Sequence, residues 1–264
     1  AVTECMREVW ARHRLLGNCV APSAEKLARM EPGSALHSLA LGNGKRIRVV
    51  EAKDWKTEAA REQRAVARAA GEIPILGKDM GDLEMAAAHI IENLRTQLDI
   101  SLERGIAEQK IYWNEPSSVG DVLCDGIPDW HDGHGNVIDL KTTDGSVHPD
   151  ACAKAIVNSA AIIQDCAYRN AIVSQDPSLA GRTSMTFAFA QRKEPFCVTL
   201  VRCDGAMQHI GETRWLRAVE LWAQCLAKGR EAEHWPQHTQ RPIEVHAPGW
   251  LLVREMELEA AENE

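Results

Sequence analysis

The stretch that decides the fold runs from Gly126-Ile127-Pro128-Asp129 to Val137-Ile138-Asp139-Leu140-Lys141-Thr142-Thr143. Apolar and polar residues alternate in both halves, which predicts strands over residues 120–130 and 136–142. The intervening Trp-His-Asp-Gly-His-Gly-Asn has the turn chemistry of a hairpin loop. A tight hairpin would bring Asp129 close to Asp139, with Lys141 two residues further along the same face.

Asp139 and Lys141 interrupt a run that otherwise resembles a buried strand, where charges are costly unless they are paired or bind a ligand. Two aspartates, with the Leu140 carbonyl as a further oxygen, suit a divalent cation that polarises a phosphate and lowers the pKa of a bound water. A neighbouring lysine can orient that water, accept its proton or stabilise charge on the phosphate. The residues therefore favour phosphodiester hydrolysis, with a surface salt-bridge cluster as the alternative.

The rest of the chain supplies helices and further strands. A turn is expected at residues 31–34, with Ser34 capping a short helix over residues 35–40. Periodicity predicts helices over residues 57–70, 79–104 (begun at Asp79 or Asp82 and ended by Gly105), 150–172 and 205–228, and strands over residues 107–114, 183–191 and 196–203. From residue 231 onward we expect an irregular arm. The order predicts an α/β fold with a central mixed sheet flanked by helices.

Composition fits an ordinary globular protein, since 45% of the 264 residues are apolar and 26% are charged. The sequence has no run of 18 apolar residues, which would predict a membrane span, and it shows no leader pattern. The chain begins at Ala1 rather than Met, which leaves an upstream segment possible. Eight cysteines without a C-x-x-C pair favour reduced, buried thiols (Cys166 and Cys225 among them) in a cytoplasmic protein over disulfides or a zinc or iron–sulfur site.

The net charge of −8 argues mildly against a nucleic-acid partner, because phosphate binding depends on Lys and Arg. The distribution of charge matters more than its sum. Part of the excess lies in the acidic tail between Glu255 and Glu264. A basic groove inside an acidic body therefore stays compatible with the charge.

Taken together, the motifs resemble the PD-(D/E)XK nuclease superfamily and, in their order, its RecE-type (exodeoxyribonuclease VIII) branch from prophage recombination systems. The similarity covers roughly residues 30–240. The matching pieces are Ser34-Ala35-Leu36-His37, His89, Ile127-Pro128-Asp129-Trp130, Val137-Ile138-Asp139-Leu140-Lys141-Thr142-Thr143, Gln164 with Tyr168, Phe187-Ala188-Phe189-Ala190-Gln191 and Trp235-Pro236.

The resemblance implies a PD-(D/E)XK nuclease core over residues 31–240, preceded by a helical extension (1–30) and followed by an acidic arm (241–264). It also implies roles for individual residues. Metal ligands would be His89, Asp129, Asp139 and Leu140, the catalytic lysine would be Lys141, the orienting residues Gln164 and Tyr168, and the nearby acid Glu108. The family often has Gln-Glu-Lys where this chain has Gln191-Arg192-Lys193, so Arg192 is expected to contact phosphate instead.

Several residues carry more than one interpretation. Arg182, Arg192 and Lys193 cluster near one predicted hairpin and are candidate DNA contacts, although a solvated turn explains them equally well. His131, His134 and His148 invite a zinc site, but turn chemistry alone accounts for polar residues there. Trp130, Trp215 and Trp222 are most simply core residues.

By resemblance, the expected activity is a Mg²⁺-dependent exonuclease, with Mn²⁺ as a substitute, that resects one strand of linear duplex DNA from 5′ to 3′. Expected partners are double-stranded DNA ends, a single-strand annealing recombinase and further copies of the chain in a ring, whose lumen would confine the basic residues. A structure-specific or restriction-type endonuclease and a non-catalytic DNA-binding protein remain the alternatives.

Overall fold

The computed structural model describes residues 5–13, 15–17, 21–237, 242 and 244–262. The chain forms two compact units, one drawn from residues 20–227 and the other from the two ends of the chain. In the described residues, no helix is both long enough and apolar enough to cross a membrane.

The elements follow one another along the chain in a mixed order of helices and strands. The helices are α1 (Met6–Arg12), α2 (Ala24–Leu41), α3 (Glu58–Ala69), α4 (Gly77–Leu98), α5 (Pro149–Asn158), α6 (Ala161–Gln175), α7 (Gly205–Lys228) and α8 (Gly249–Glu262). The strands are β1 (Ile47–Val50), β2 (Ile73–Leu76), β3 (Ile106–Ala107), β4 (Ile111–Glu115), β5 (Val122–Gly126), β6 (Trp130–His131), β7 (Asn136–Thr143), β8 (Ser184–Gln191) and β9 (Val198–Val201).

The central sheet is mixed and has the strand order β3-β6-β7-β8-β9. Strands β7 and β8 run parallel, from Asn136 opposite Ser184 to Thr143 opposite Gln191, and the other neighbours are antiparallel. Helices α5 and α6 form the crossover that a parallel pair requires. The predicted α/β class with a central mixed sheet flanked by helices is therefore confirmed.

Alternation along β7 divides the interior into two cores, one on each face of the sheet. Ile138 and Leu140 pack with residues of α2 and α4 such as Leu36 and Leu94. Val137 packs on the other face with residues of α5, α6 and β8. Trp130 is buried, as predicted, and its Nε1 donates to the Leu102 carbonyl at 2.8 Å.

The expected turn at residues 31–34 is wrong, because α2 runs through Pro32 and Gly33 without a break. The cap is Ser23, whose side chain accepts from the Lys26 N–H, and not Ser34. Glu31 is buried and pairs with Arg64 and Arg68 of α3. These tertiary contacts hold a helix whose local sequence favours a turn.

Other boundaries also differ from the predictions. Helix α4 begins after Leu76 and ends at Leu98, where Asp99 adopts the left-handed conformation, so neither Asp79, Asp82 nor Gly105 marks its ends. The predicted strands 107–114 and 120–130 are each broken, giving β3 with β4 and β5 with β6, and the predicted helix 150–172 divides into α5 and α6. The parallel pair β1 and β2 was not predicted, and residues 249–262 form a helix rather than an irregular arm.

Most of the described cysteines, including Cys166 and Cys225, are buried. Cys197 is exposed on the turn between β8 and β9. Cys19 lies outside the described residues.

Candidate active site beside strand β7

The hairpin of β6 and β7 brings the two aspartates together. Trp130 pairs with Ile138, so Asp129 and Asp139 stand next to each other just beyond the last paired residues. Asp129 Oδ2 accepts a hydrogen bond of 2.7 Å from the Leu140 N–H, which fixes this carboxylate against the middle of β7. Leu140 thus takes part in the site through its backbone N–H, and its side chain lies in the core.

Asp139 is buried and faces the α6 side of the sheet, as Lys141 does. Lys141 Nζ lies 2.5 Å from Asp139 Oδ2. Burial, and then the negative charge of Asp129, raise the pKa of Asp139 to about 6, against the opposing effects of Lys141 and His37. The two carboxylates therefore repel each other in a partly desolvated pocket, which is the arrangement a bound cation relieves.

Helix α6 supplies two more of the predicted residues. Gln164 Oε1 accepts from Lys141 Nζ at 3.0 Å, so the ammonium is held between a carboxylate and an amide. Tyr168, one helical turn later, donates from its hydroxyl to the Ile127 carbonyl at 3.3 Å. Burial and then the charge of Asp139 raise the pKa of Tyr168. The structure thus brings Asp129, Asp139, Lys141, Gln164 and Tyr168 into one group.

His37 is a member of the group to which sequence reasoning gave no role. Its Nδ1 lies 3.5 Å from Asp129 Oδ2, on the side of the sheet covered by α2. Burial lowers the pKa of His37, but the hydrogen bond and charge of Asp129 outweigh it, so the pKa is raised overall. The available signal was its place in Ser34-Ala35-Leu36-His37, one of the matching pieces of the resemblance, to which no role had been given.

His89 was expected to be the histidine ligand, and the structure places it elsewhere. Its half-buried ring packs against Phe196, on the turn between β8 and β9, with ring centroids 5.8 Å apart. The described contacts therefore make His37, and not His89, the imidazole that accompanies the aspartates.

Glu108 lies beside this group with an unusual backbone. Its φ is 52°, in the left-handed region that non-glycine residues rarely adopt, and its N–H donates to the Asp129 carbonyl at 3.0 Å. This hydrogen bond ties Glu108 to the backbone of Asp129. Glu108 also lines a cleft of about 210 Å³, whose other lining residues are Ser34, His37, Ser38, Lys45 and Ile73.

The three candidate DNA contacts do not cluster as expected. Arg182 lies before β8 and bonds to the Ser178 carbonyl, whereas Arg192 and Lys193 follow the other end of this eight-residue strand. At about 3.3 Å per residue, the strand separates them by roughly 25 Å. Arg192 pairs with Asp144, and both line a second cleft of about 240 Å³ together with Lys193.

Two of the three histidines of the possible zinc site have separate partners. His131 Nε2 lies 2.7 Å from Gln109 Oε1, and His148 caps α5 by accepting from the Asp150 N–H. Within the described ranges, no three His, Cys, Asp or Glu side chains stand close enough together to hold a metal ion by themselves.

No protein-family model matches the chain, and no curated protein does. Among solved structures, it is similar to a candidate exonuclease from Eubacterium rectale, with 11% identity, coverage of 88% of this chain and 81% of that one, and a TM-score of 0.49. It is also similar to the protein SSO0001, with 11% identity, coverage of 71% and 84%, and a TM-score of 0.28.

Proposed function

We propose that the chain is a metal-dependent deoxyribonuclease of the PD-(D/E)XK type. The observation that carries the proposal is the placement of Lys141 Nζ, 2.5 Å from Asp139 Oδ2 and 3.0 Å from Gln164 Oε1, beside a second carboxylate. A structural ion pair has no need of the nearby Asp129, whose charge raises the pKa of Asp139. Phosphodiester hydrolysis needs both carboxylates and the lysine.

The donor set fits Mg²⁺ in kind, because hard carboxylate oxygens are the ligands this ion prefers. Asp129 and Asp139 would hold it, with the Leu140 carbonyl and water as further ligands, and the His37 imidazole would orient the Asp129 carboxylate from the α2 side. When bound, the ion would polarise the phosphate and lower the pKa of a water. Burial and then repulsion by Asp129 raise the pKa of Asp139 to about 6, and the repulsive part supports this assignment, since a cation between the carboxylates would remove it.

Lys141 would act on the water or on the phosphate. Gln164 accepts a hydrogen bond from Lys141 Nζ and so fixes the orientation of the ammonium group. The remaining N–H groups of Lys141 then point into the site. A lysine held in this way can orient the nucleophilic water and stabilise the charge that develops on the phosphate. Tyr168 and Ile127 close the side of the site next to α6.

We further propose that the substrate is a linear duplex end, that one strand is resected from 5′ to 3′ in the cytoplasm, and that the single-stranded product passes to an annealing recombinase. These finer points rest on the resemblance of the motifs to RecE-type domains. A ring of identical chains would place residues such as Arg192 and Lys193 towards a central lumen. Such a ring is compatible with a net charge of −8.

The deciding experiment is digestion of end-labelled linear duplex DNA, beside a covalently closed plasmid, with Mg²⁺. Linear DNA should be degraded from its ends while the plasmid stays intact. Asp139→Ala and Lys141→Ala should abolish digestion, whereas the exposed Asp121→Ala and Lys154→Ala serve as matched controls.

Nicking of the plasmid would replace the exonuclease by an endonuclease. Undiminished digestion by Asp139→Ala or Lys141→Ala would refute the catalytic assignment. Absence of both digestion and Mn²⁺ binding in calorimetry would instead identify a non-catalytic protein.

A further inference from the structure

Gly33 stands inside α2, directly after Pro32 and about two and a half turns from the start of the helix. A glycine in a helix interior costs about 1 kcal/mol relative to alanine. Such a residue needs a packing reason, and in α2 the reason is the distance to the sheet.

A Cβ atom on Gly33 would lie 2.9 Å from the Thr142 Oγ1 of β7, which is closer than ordinary contact allows. By contrast, Gly81 of α4 has no atom within 4 Å of the same position. A side chain at position 33 would therefore require either the Thr142 hydroxyl to rotate or the backbone of α2 to move away from β7.

This close approach lies one helical turn and two strand residues away from the candidate active site. His37 follows Gly33 by four residues, one turn of about 6 Å along the same helix face. Leu140, whose N–H binds Asp129, precedes Thr142 by two residues, about 6.6 Å along the same strand face. Helix α2 and strand β7 thus run antiparallel, and one helical turn has about the same length as two strand residues. The pairs Gly33–Thr142 and His37–Asp129 are therefore successive contacts along the same interface of α2 with the sheet.

The other side of α2 leaves little room for adjustment. Glu31, two residues before Gly33, is buried and bound by Arg64 and by Arg68 Nε at 2.6 Å. Because α3 holds the helix there and the β-branched Thr142 has restricted side-chain rotation, we expect a side chain at position 33 to tilt the following turn away from β7. That turn carries His37.

We propose that Gly33 and Thr142 form a spacer that sets the distance between the His37 imidazole and the Asp129 carboxylate, so that Gly33 is a positioning residue for the metal site. The inference rests on the proposed function where it concerns the metal. The His37–Asp129 contact itself does not depend on a metal.

The test compares Gly33→Ala, Thr142→Ala, the double variant and the matched control Gly81→Ala. Mn²⁺ affinity is measured by calorimetry, thermal unfolding is followed without metal, and the His37 ring signals are recorded by NMR. Gly33→Ala should bind Mn²⁺ about ten-fold more weakly while still folded at the temperature of the titration, with a melting temperature below that of Gly81→Ala, whose added Cβ meets no atom. Thr142→Ala should bind within about two-fold of the parent, and the double variant should regain most of the affinity.

Parent-like Mn²⁺ affinity in Gly33→Ala would overturn the spacer, as would a loss that Thr142→Ala fails to rescue. If the parent protein itself binds no Mn²⁺, the proposed function fails. The spacer is then decided by NMR in the metal-free protein: Gly33→Ala should move the His37 ring signals towards those of Asp129→Asn, and unchanged signals would overturn it.

Discussion

The His37 imidazole lies 3.5 Å from the same Asp129 oxygen that accepts the Leu140 N–H. One carboxylate oxygen thus joins a helix, a hairpin and the central strand of the sheet. The contact gives α2 a direct part in the site, in addition to the apolar packing of Leu36 beneath it.

The first prediction separates the two histidines. His37→Ala should weaken Mn²⁺ binding by about ten-fold or more, since it removes the imidazole at Asp129. His89→Ala should leave affinity and digestion within about two-fold, because its ring packs on Phe196. Calorimetry and end-labelled digestion measure both. The opposite result, with His89→Ala impaired and His37→Ala unaffected, would return the ligand role to His89.

The sequence allowed part of the site to be predicted because that part is local. Asp129, Asp139 and Lys141 belong to one hairpin, so strand alternation places them together. Gln164 and Tyr168 were implied by the resemblance, and helix periodicity adds only that they share one face. His37 and His89 both lie on amphipathic helices, and only the packing of α2 on β7 distinguishes them. That packing depends on Gly33, whose local signal favours a turn.

The same contrast between local pattern and tertiary packing explains which elements of the fold could be predicted. The strand at residues 136–142 and the helix at residues 205–228 were predicted because each carries a long periodic pattern. Residues 31–34 were misassigned because Glu31 gains its helical state from Arg64 and Arg68, which lie in another helix. The short strands β1 and β2 pair with each other across α3, and four-residue runs have no periodicity to reveal them.

A second prediction concerns Gln164. Gln164→Ala removes one of the two acceptors of Lys141 Nζ, so the ammonium would be held by Asp139 alone and would lose its fixed orientation. The expected result is a kcat about ten- to a hundred-fold lower with little change in KM for DNA. Gln175→Ala, at the exposed end of the same helix, is the matched control. A rise in KM at constant kcat would show that Gln164 binds substrate instead.

A third prediction follows from the raised pKa of Asp139, about 6 in the folded state against about 3.9 in an unfolded chain. The folded state binds the proton more tightly, so stability is highest below pH 4 for this group and is lost as the pH rises through 6. The loss amounts to up to about 3 kcal/mol. Metal-free Asp139→Asn should therefore melt above the parent at pH 8 and match it near pH 4. A lower melting temperature for the variant at pH 8 would contradict this.

The last prediction concerns Glu115, a buried carboxylate outside the active site. Its Oε1 accepts from Trp113 Nε1 at 2.8 Å, and from Asn170 Nδ2 and Trp215 Nε1 at 2.9 Å each, which ties β4 to α6 and α7. Glu115→Ala leaves three donors without this acceptor, at about 1 kcal/mol or more apiece, so the free energy of unfolding should fall by about 3 kcal/mol. Glu115→Gln retains an acceptor oxygen and should lose less than half as much. Urea unfolding measures both, and DNA digestion per folded molecule should not change. A Glu115→Ala protein as stable as the parent would show that the two indoles and the amide find other acceptors.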